Sequence, residues 1–157
     1  MKIFVTGATG YVGHNLAKKL AERGDQVHVL VRNTASANIP VHENIRVFAG
    51  DITDRLSINA AIRGCEQVYH TAALVKIFAK ERSLFEKVNV EGTKNVLSEA
   101  LENGVEKFLF TSSCCVIGPS LGTPIIQYDP RLVSFDNASE FTKFLAENLV
   151  QEFAQKG

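Results

Sequence analysis

The sequence has no excess of charge of either sign, because 17 lysines and arginines balance 17 aspartates and glutamates. Proteins that bind nucleic acid carry a basic patch or stripe, so we expect no nucleic-acid partner. Long hydrophobic runs are also missing, and no apolar segment approaches the roughly 20 residues that a membrane-spanning helix needs. The N-terminus, MKIFVTGATG, is apolar only briefly before it becomes glycine-rich. It predicts a first strand and not a signal peptide, so we expect no membrane partner.

Cysteine is scarce, and its spacing excludes the common metal motifs. Cys65, Cys114 and Cys115 form no C-x-x-C pair and no His/Cys spacing that suits zinc. Free cysteine is among the most buried residue types, so we expect all three side chains to be small buried apolar groups. The sequence predicts no metal site and a cytoplasmic location, where thiols stay reduced.

A recurring unit organises the 157 residues, which suggest one domain. In each copy a helical stretch ends in glycine, polar residues follow, and a short apolar run comes next. The copies begin at AERG (21–24), AIRG (61–64) and LENG (101–104). Glycine after a helix end supplies a left-handed cap, and the apolar runs are typical of buried strands. Strands that alternate with helices predict an α/β fold, a doubly wound parallel sheet with helices on both faces.

The pattern predicts five strands, four helices and one long loop. The strands fall at 2–6, 26–31, 45–48, 67–71 and 107–111. The helices fall near 11–23, 54–63, 83–103 and 138–155. Residues 112–137 form an irregular segment with Pro119, Pro124 and Pro130, and loops of that length are usually functional or mobile.

The final residues, FAQKG, repeat the helix-then-glycine signal without the strand that should follow. One interpretation is that residues 1–157 are a dinucleotide-binding domain whose C-terminal substrate-binding part is absent. The other is a domain that simply ends with a helix. Under the first interpretation the fifth strand is an open sheet edge, which favours pairing with another chain. A homo-oligomer is then an expectation.

Residues 3–13, IFVTGATGYVG, place three glycines between the first strand and the first helix. Gly7 permits a tight turn, Gly10 lets the backbone approach a pyrophosphate, and Gly13 lets the helix pack closely on the strand. The helix N-terminus offers free N–H groups and a partial positive charge to phosphates. An ordinary glycine-rich turn is the alternative, but the strand–turn–helix context favours dinucleotide binding.

This G-x-x-G-x-x-G spacing, with Thr6 in front, resembles the extended short-chain dehydrogenase/reductase superfamily, and especially its epimerase/dehydratase and dihydroflavonol-reductase-like members. Further resemblances follow in order at AGDITD (49–54), HTAA (70–73), VNVEGTKNVL (88–97) and LFTSSCCVIG (109–118). The resemblance implies a Rossmann-like sheet in the order 3-2-1-4-5 and an oxidoreductase or epimerase acting on a carbonyl, alcohol or nucleotide-sugar substrate. It implies cofactor contacts at Gly7, Thr9, Gly10, Tyr11, Val12, Gly13, Arg32, Asp51, Ile52, Ala72, Ala73, Asn89 and Lys143.

Simpler interpretations exist for individual residues of this set. Asp51 could be a turn residue or a helix cap, a role that Asp54 could also fill. Asn89 could be a surface polar residue on a helix. His70 is expected to be a satisfied core histidine without a catalytic role.

The second strand ends VLVRN, with Arg32 at its tip. NAD sites often place an acidic residue there, bonded to the ribose 2′-OH. An arginine can instead pair with a 2′-phosphate in a forked, charge-assisted geometry. We therefore predict NADP(H), with Asn33 and Ser36 as helpers. NAD is the alternative, in which Arg32 is a solvated surface residue.

The resemblance also implies a catalytic serine, tyrosine and lysine. Ser113 matches the serine that orients the substrate oxygen, and Lys143 matches the lysine that holds the nicotinamide ribose and lowers the tyrosine pKa. The tyrosine, the general acid or base, should stand at 139, one turn before Lys143 on the same helix face. The residue there is Ser139. Tyr128, the nearest upstream tyrosine, lies in the proline-containing loop, off the Lys143 face.

The last helix carries its own signals. Asn137 and Glu140 predict a capping box at its start. Apolar residues recur every four positions and predict a buried stripe of Phe141, Leu145, Leu149 and Phe153.

Three hypotheses about function remain open at this stage. The chain could belong to an enzyme that performs hydride chemistry with Ser113 and Lys143, with the acid altered or supplied by water. It could be a non-catalytic NADP(H)-binding module, a sensor or an interaction domain. It could also be a fragment of an active enzyme. Because the general acid is replaced, we expect this chain alone to be inactive or weakly active.

Overall fold

A computed structural model describes residues 1–75, 82–126 and 131–156. Within these ranges five strands form one sheet: β1 (Lys2–Thr6), β2 (Gln26–Val31), β3 (Ile45–Ala49), β4 (Gln67–His70) and β5 (Lys107–Phe110). The order is β3-β2-β1-β4-β5, and every adjacent pair is parallel. The predicted doubly wound fold and strand order are confirmed.

Five α-helices surround the sheet in the described ranges. They are α1 (Tyr11–Glu22), α2 (Arg55–Ile62), α3 (Arg82–Phe85), α4 (Gly92–Glu102) and α5 (Ala138–Ala154). A 3₁₀ turn covers Cys114–Val116. The glycines predicted to end helices, Gly24, Gly64 and Gly104, all have positive φ, as left-handed caps require.

A π-helical segment, Glu86–Glu91, joins α3 to α4. Its widened turn is closed by the backbone N–H of Gly92, which donates to the carbonyl of Lys87 five residues earlier. The helix predicted near 83–103 therefore lies where it was expected, but it is not one continuous α-helix. Such π turns inside helices occur frequently at functional sites.

Two hydrophobic cores lie on opposite faces of the sheet, as expected for a parallel sheet covered on both sides. Ile3 and Val5 of β1 point to the face covered by α1. Phe4, between them, points to the face covered by α2 and α4. This alternation follows from the two-residue period of a strand. Both faces of β1 are buried because it lies at the centre of the sheet, between β2 and β4.

Two burial predictions were wrong. Cys65 is buried, but Cys114 and Cys115 are exposed, because the 3₁₀ turn that carries them buries Val116 instead. On α5 the predicted stripe is not the buried face: Phe141 is 45 % exposed, whereas Thr142, Lys143 and Ala146 are buried. The α5 helix packs this second face against the π-helical segment, which Thr142 contacts directly.

Within the described ranges, no helix is both long enough and apolar enough to cross a membrane. No group of three or more His, Cys, Asp or Glu side chains in the same ranges is arranged to hold a metal ion. Tyr128 and Pro130 lie outside the described residues.

Candidate functional site

The turn between β1 and α1 leaves no room for a side chain at Gly7 or at Gly13. Gly7 adopts φ +76, and the backbone N–H of Gly10 donates to the Gly7 carbonyl at 2.9 Å. A Cβ added to Gly7 would lie 2.7 Å from the backbone nitrogen of Ala72, and one added to Gly13 would lie 2.4 Å from the Gly7 oxygen. The turn therefore presses against both the helix start and the end of β4. This closeness is the fit that a dinucleotide-binding turn requires.

A cavity of about 300 Å³ opens above this turn, at the carboxyl ends of β1, β2 and β4. It lies where the strand order reverses, the position at which open α/β sheets bind ligands. The predicted cofactor residues that line it are Gly7, Thr9, Gly10, Arg32, Asp51, Ile52, Ala72 and Ala73. Leu84 and Val88 also line it but were not predicted, since their positions depend on how the π-helical segment is placed.

The remaining predicted cofactor residues lie around this cavity. Tyr11 is the exposed first residue of α1, and Gly13 is buried beneath the turn. Val12 and Lys143 line a second cavity next to Ala73.

Asp51 and Asp54 have separate roles. Oδ1 of Asp51 accepts hydrogen bonds from the backbone N–H and the hydroxyl of Thr53, at 2.8 and 2.9 Å. Asp54 caps α2 by accepting from the backbone N–H of Leu56 at 3.1 Å. Asp51 is thus a turn residue that also lines the cavity, while the helix cap belongs to Asp54.

Asn89 is 2 % exposed, so the interpretation as a surface polar residue is wrong. Its side chain accepts from the backbone N–H of Leu74 at 2.7 Å and donates to the Leu74 carbonyl at 3.2 Å. It also donates to Thr142 Oγ1 at 3.0 Å. Asn89 therefore joins the loop after β4 to the helix that carries Lys143.

His70 is fully buried and forms hydrogen bonds through both ring nitrogens. Nδ1 lies 2.6 Å from Thr6 Oγ1, and Nε2 lies 2.9 Å from Thr93 Oγ1. Thr93 donates its hydroxyl hydrogen to the Asn89 carbonyl, so Nε2 of His70 must be the donor and Nδ1 the acceptor. Burial lowers the pKa of His70 to about 3, aided by the positive charge of Lys143. The histidine is therefore neutral, and it is the satisfied core histidine that was predicted.

The second cavity, of about 420 Å³, lies between the end of β5 and the start of α5. Ser113, Ser139 and Lys143 all line it. The predicted face relationship between positions 139 and 143 is confirmed. The structure brings the three predicted catalytic positions into one place.

Lys143 is buried, and its ammonium group is held in a fixed position. Nζ donates to the Thr111 carbonyl at 2.6 Å and lies 4.0 Å from the centre of the Phe110 ring. Burial lowers the pKa of Lys143 to about 8, and the carboxylate of Glu147 opposes this shift. Two ammonium hydrogens remain for a ligand in the cavity.

The two serines of the cavity differ in their surroundings. Ser113 Oγ accepts from the backbone N–H of Cys115 at 3.2 Å, which leaves its hydroxyl hydrogen for a bound oxygen. Ser139 belongs to the first turn of α5, where Asn137 Oδ1 caps the helix by accepting from the Glu140 N–H at 3.0 Å, the first of the two bonds of the predicted capping box. For the second, Glu140 accepts from the side-chain amide of Asn137 at 3.1 Å. Of the tyrosines in the described ranges, Tyr11 and Tyr69, neither lines this cavity.

Sequence reasoning missed Arg131, which holds the Ser113 loop against the start of α5. Its guanidinium donates to Glu140 Oε2 at 3.1 Å, to the Ser134 carbonyl at 2.9 Å and to the carbonyl of Cys115. It also lies over the Phe135 ring, 4.1 Å from its centre. No local motif signals these contacts, because they join parts of an irregular segment. Thr71, which lines both cavities, was present only as part of HTAA.

A parallel sheet in the order 3-2-1-4-5, with a glycine turn at its switch point, defines the Rossmann-like class of nucleotide-binding folds. The sequence is matched by the model of the NAD dependent epimerase/dehydratase family over residues 3–157. The chain belongs to this family.

Relatives with known names resemble the chain over most of its length. A 3 beta-hydroxysteroid dehydrogenase/Delta 5-->4-isomerase of Mycobacterium tuberculosis is 34 % identical over 168 residues, covering 99 % of this chain and 43 % of the relative. A putative dihydroflavonol 4-reductase of Synechocystis is 37 % identical over 115 residues, covering 73 % of this chain and 33 % of the relative. The chain thus spans less than half of these curated relatives.

Solved structures have the same fold. The Bordetella bronchiseptica enzyme WbmH, in complex with NAD+, has a TM-score of 0.85 at 26 % identity, covering 97 % of this chain and 52 % of that one. The Thermus thermophilus UDP-glucose 4-epimerase, in complex with NAD, has a TM-score of 0.85 at 26 % identity, covering 99 % of this chain and 51 % of that one.

Proposed function

We propose that the chain is the NADP(H)-binding domain of an oxidoreductase or epimerase, with the general-acid position occupied by Ser139. The observation that carries the proposal is the glycine turn. Side chains at Gly7 and Gly13 would collide with the backbone, and the turn opens into a cavity at the sheet's switch point. When bound, the nicotinamide ring would supply or accept a hydride.

NADP(H) is preferred to NAD(H) in this proposal because of Arg32. Its side chain lines the first cavity at the tip of β2, where an acidic residue would repel a 2′-phosphate. A guanidinium there offers a forked, permanently charged partner to that phosphate. NAD(H) is the alternative, and the NAD-bound neighbours favour it.

Titration of the purified chain with NADPH and then NADH tests both parts of this proposal. We expect micromolar binding that favours NADPH, and a loss of this preference in Arg32→Ala. The matched control is Arg63→Ala, which removes an exposed arginine that lines neither cavity and should leave the preference unchanged. A folded chain that binds neither nucleotide would contradict the cofactor proposal, whereas equal binding of both would contradict only the preference.

For catalysis we propose that Ser113 orients a substrate oxygen and that Lys143 binds the nicotinamide ribose. The shared cavity supports this assignment, together with the fixed position of the Lys143 ammonium group. A serine at 139 is a far weaker acid than a phenol and is several ångströms shorter. Losing a positioned general acid typically costs about 10²–10⁴-fold in rate. Turnover by this chain is therefore expected to be weak or absent.

The second cavity supports an apolar carbon skeleton as the preferred substrate class, carrying a carbonyl or alcohol. Val12, Ala73 and Val75 line it beside Ser113. Named relatives at 34 % and 37 % identity act, by their names, on a hydroxysteroid and a dihydroflavonol. A nucleotide sugar is the alternative, as for UDP-glucose 4-epimerase. Comparing cofactor turnover with a 3β-hydroxysteroid, a dihydroflavonol and UDP-glucose would separate the two classes.

A non-catalytic NADP(H)-binding module is the second candidate function, and the serine at position 139 favours it. In that case Ser139→Tyr would leave turnover undetectable with every substrate, although the nucleotide still binds.

Self-association through β5, which pairs only with β4 within the described sheet, is a further proposal that light scattering would test. We also propose a cytoplasmic location, because Cys65, Cys114 and Cys115 are free thiols and the cytoplasm keeps thiols reduced.

A further inference from the structure

The segment that follows β2 folds back toward α1 through short turns. The backbone N–H of Ala35 donates to Asn33 Oδ1 at 2.9 Å, and that of Ser36 donates to the Asn33 carbonyl at 3.2 Å. The N–H of Asn38 then donates to Ser36 Oγ at 3.3 Å. The segment 32–38 is therefore a compact series of turns, with Arg32 at the end next to the first cavity.

His14 anchors the C-terminal end of segment 32–38 to α1 through a hydrogen bond. It stands in the first turn of α1, directly after Gly13, and its Nδ1 lies 2.8 Å from the Asn38 carbonyl. A carbonyl oxygen only accepts, so Nδ1 carries the hydrogen and donates it. Ile39, the next residue, packs on the hydrophobic core beneath α1. The segment is thus held by one polar and one apolar contact.

Arg32, at the near end, is exposed and lines the first cavity. Among residues 1–75, 82–126 and 131–156, no carboxylate forms an ion pair with its guanidinium. Its charge is therefore available to an anion. The position of the Ser36 hydroxyl relative to the Arg32 guanidinium depends on the conformation of segment 32–38, in which Ser36 Oγ accepts from the Asn38 N–H.

We propose that His14 is a positioning residue for recognition of the cofactor 2′-phosphate, acting by fastening segment 32–38 to α1. The inference rests on the proposed preference for NADP(H). It predicts a selective effect. A ligand with a 2′-phosphate uses the segment, whereas a ligand with a free 2′-OH does not.

The test uses His14→Leu, which keeps an apolar side chain without a donor, and His14→Asn, whose amide nitrogen can take the place of Nδ1. Each chain is titrated with NADPH and NADH, and with the fragments adenosine 2′,5′-bisphosphate and 5′-AMP. We expect His14→Leu to weaken the binding of NADPH and of the bisphosphate about three- to tenfold, the factor expected for the loss of one hydrogen bond. NADH and 5′-AMP should change less than about twofold. His14→Asn should recover most of the NADPH affinity.

Other outcomes would overturn the inference. An equal loss for both nucleotides would make His14 a general structural residue, and no loss for either would make the contact irrelevant. Should His14→Leu fail to fold, His14→Ala serves in its place. If the wild-type chain prefers NADPH and the His14 variants bind NADPH equally well, only this inference is overturned. A wild-type chain without that preference would overturn the proposed NADP(H) assignment and this inference with it.

Discussion

Ser139 and Lys143 lie one helical turn apart on α5, and their side chains line the same cavity as Ser113. The lysine is held against the Thr111 carbonyl, so its position does not depend on a partner at 139. A side chain longer than serine at position 139 would therefore lie one turn from an ammonium group that is already held in place.

Replacing Ser139 by tyrosine should raise turnover. The phenol, with an ordinary pKa near 10, would stand one turn from the Lys143 cation, which lowers a phenol pKa. We expect the rate of cofactor oxidation with a reducible substrate to increase by about 10²–10⁴-fold. Ser139→Phe is the matched control, since it supplies the ring without the hydroxyl. Equal rates in the two variants would contradict the acid–base role of this position.

Gly13→Ala should abolish nucleotide binding or weaken it by more than about tenfold, because the new Cβ would lie 2.4 Å from the Gly7 oxygen and open the turn. Gly104→Ala is the control. Gly104 has φ +68 but no atom within 4 Å of an added Cβ, so its variant should lose about 1–2 kcal/mol of stability without changing affinity. Calorimetric titration measures the affinities. Tight binding by Gly13→Ala would argue against the turn as the phosphate site.

Asn89→Ala should destabilise the chain, because it removes three hydrogen bonds in a buried place and leaves the Leu74 backbone groups and Thr142 without these partners. An unsatisfied buried polar group costs about 1–3 kcal/mol, so we expect a loss in that range or above it. Urea unfolding measures it, with the exposed Lys94→Ala on the adjoining helix as control. A loss as small as that of the control would show that the contacts are unimportant.

Stability should fall as the pH is lowered, through His70. Its folded pKa of about 3 is below the ordinary 6.5, so between these values the unfolded chain binds a proton that the native chain does not. The free energy of unfolding therefore decreases as pH falls below 6.5. From pH 7 to pH 5 this group should contribute a loss of about 2 kcal/mol. Urea unfolding of wild type and His70→Gln at both pH values isolates the contribution. The same pH dependence in both proteins would exclude His70 as its source.

Much of the fold was predictable because its signals are local. The apolar run before Gly7 fixed β1, and a glycine after each helix indicated where the next strand begins. The strand order came from the family resemblance and not from the pattern itself. The glycine turn, Arg32 and Lys143 lie where the sequence predicted, because each is tied to the end of a strand or the start of a helix.

The failures arose where tertiary contacts decide the outcome. The Phe141 stripe marks an apolar face of α5, but the helix buries the side with Thr142 and Ala146, because that side meets Asn89. Cys114 and Cys115 are apolar by composition, yet Val116 takes the buried position of their turn. The π-helical segment was not predicted, because the residue types of Glu86–Glu91 carry no local signal that separates a turn closed five residues apart from one closed four residues apart.

The π-helical segment also makes the number of residues between α3 and α4 important for which side chains are buried. In a regular α-helix each residue advances by about 100° around the axis. Removing one residue from Glu86–Glu91 would convert the widened turn into a regular one, and α3 would rotate by that angle relative to α4. Phe85, on the N-terminal side, would then turn away from its buried position while Val96 kept its own. Single-residue deletions here should therefore be tolerated far less than substitutions on the exposed face of α4. The number of residues between Phe85 and Val96 thus matters as much as their identity.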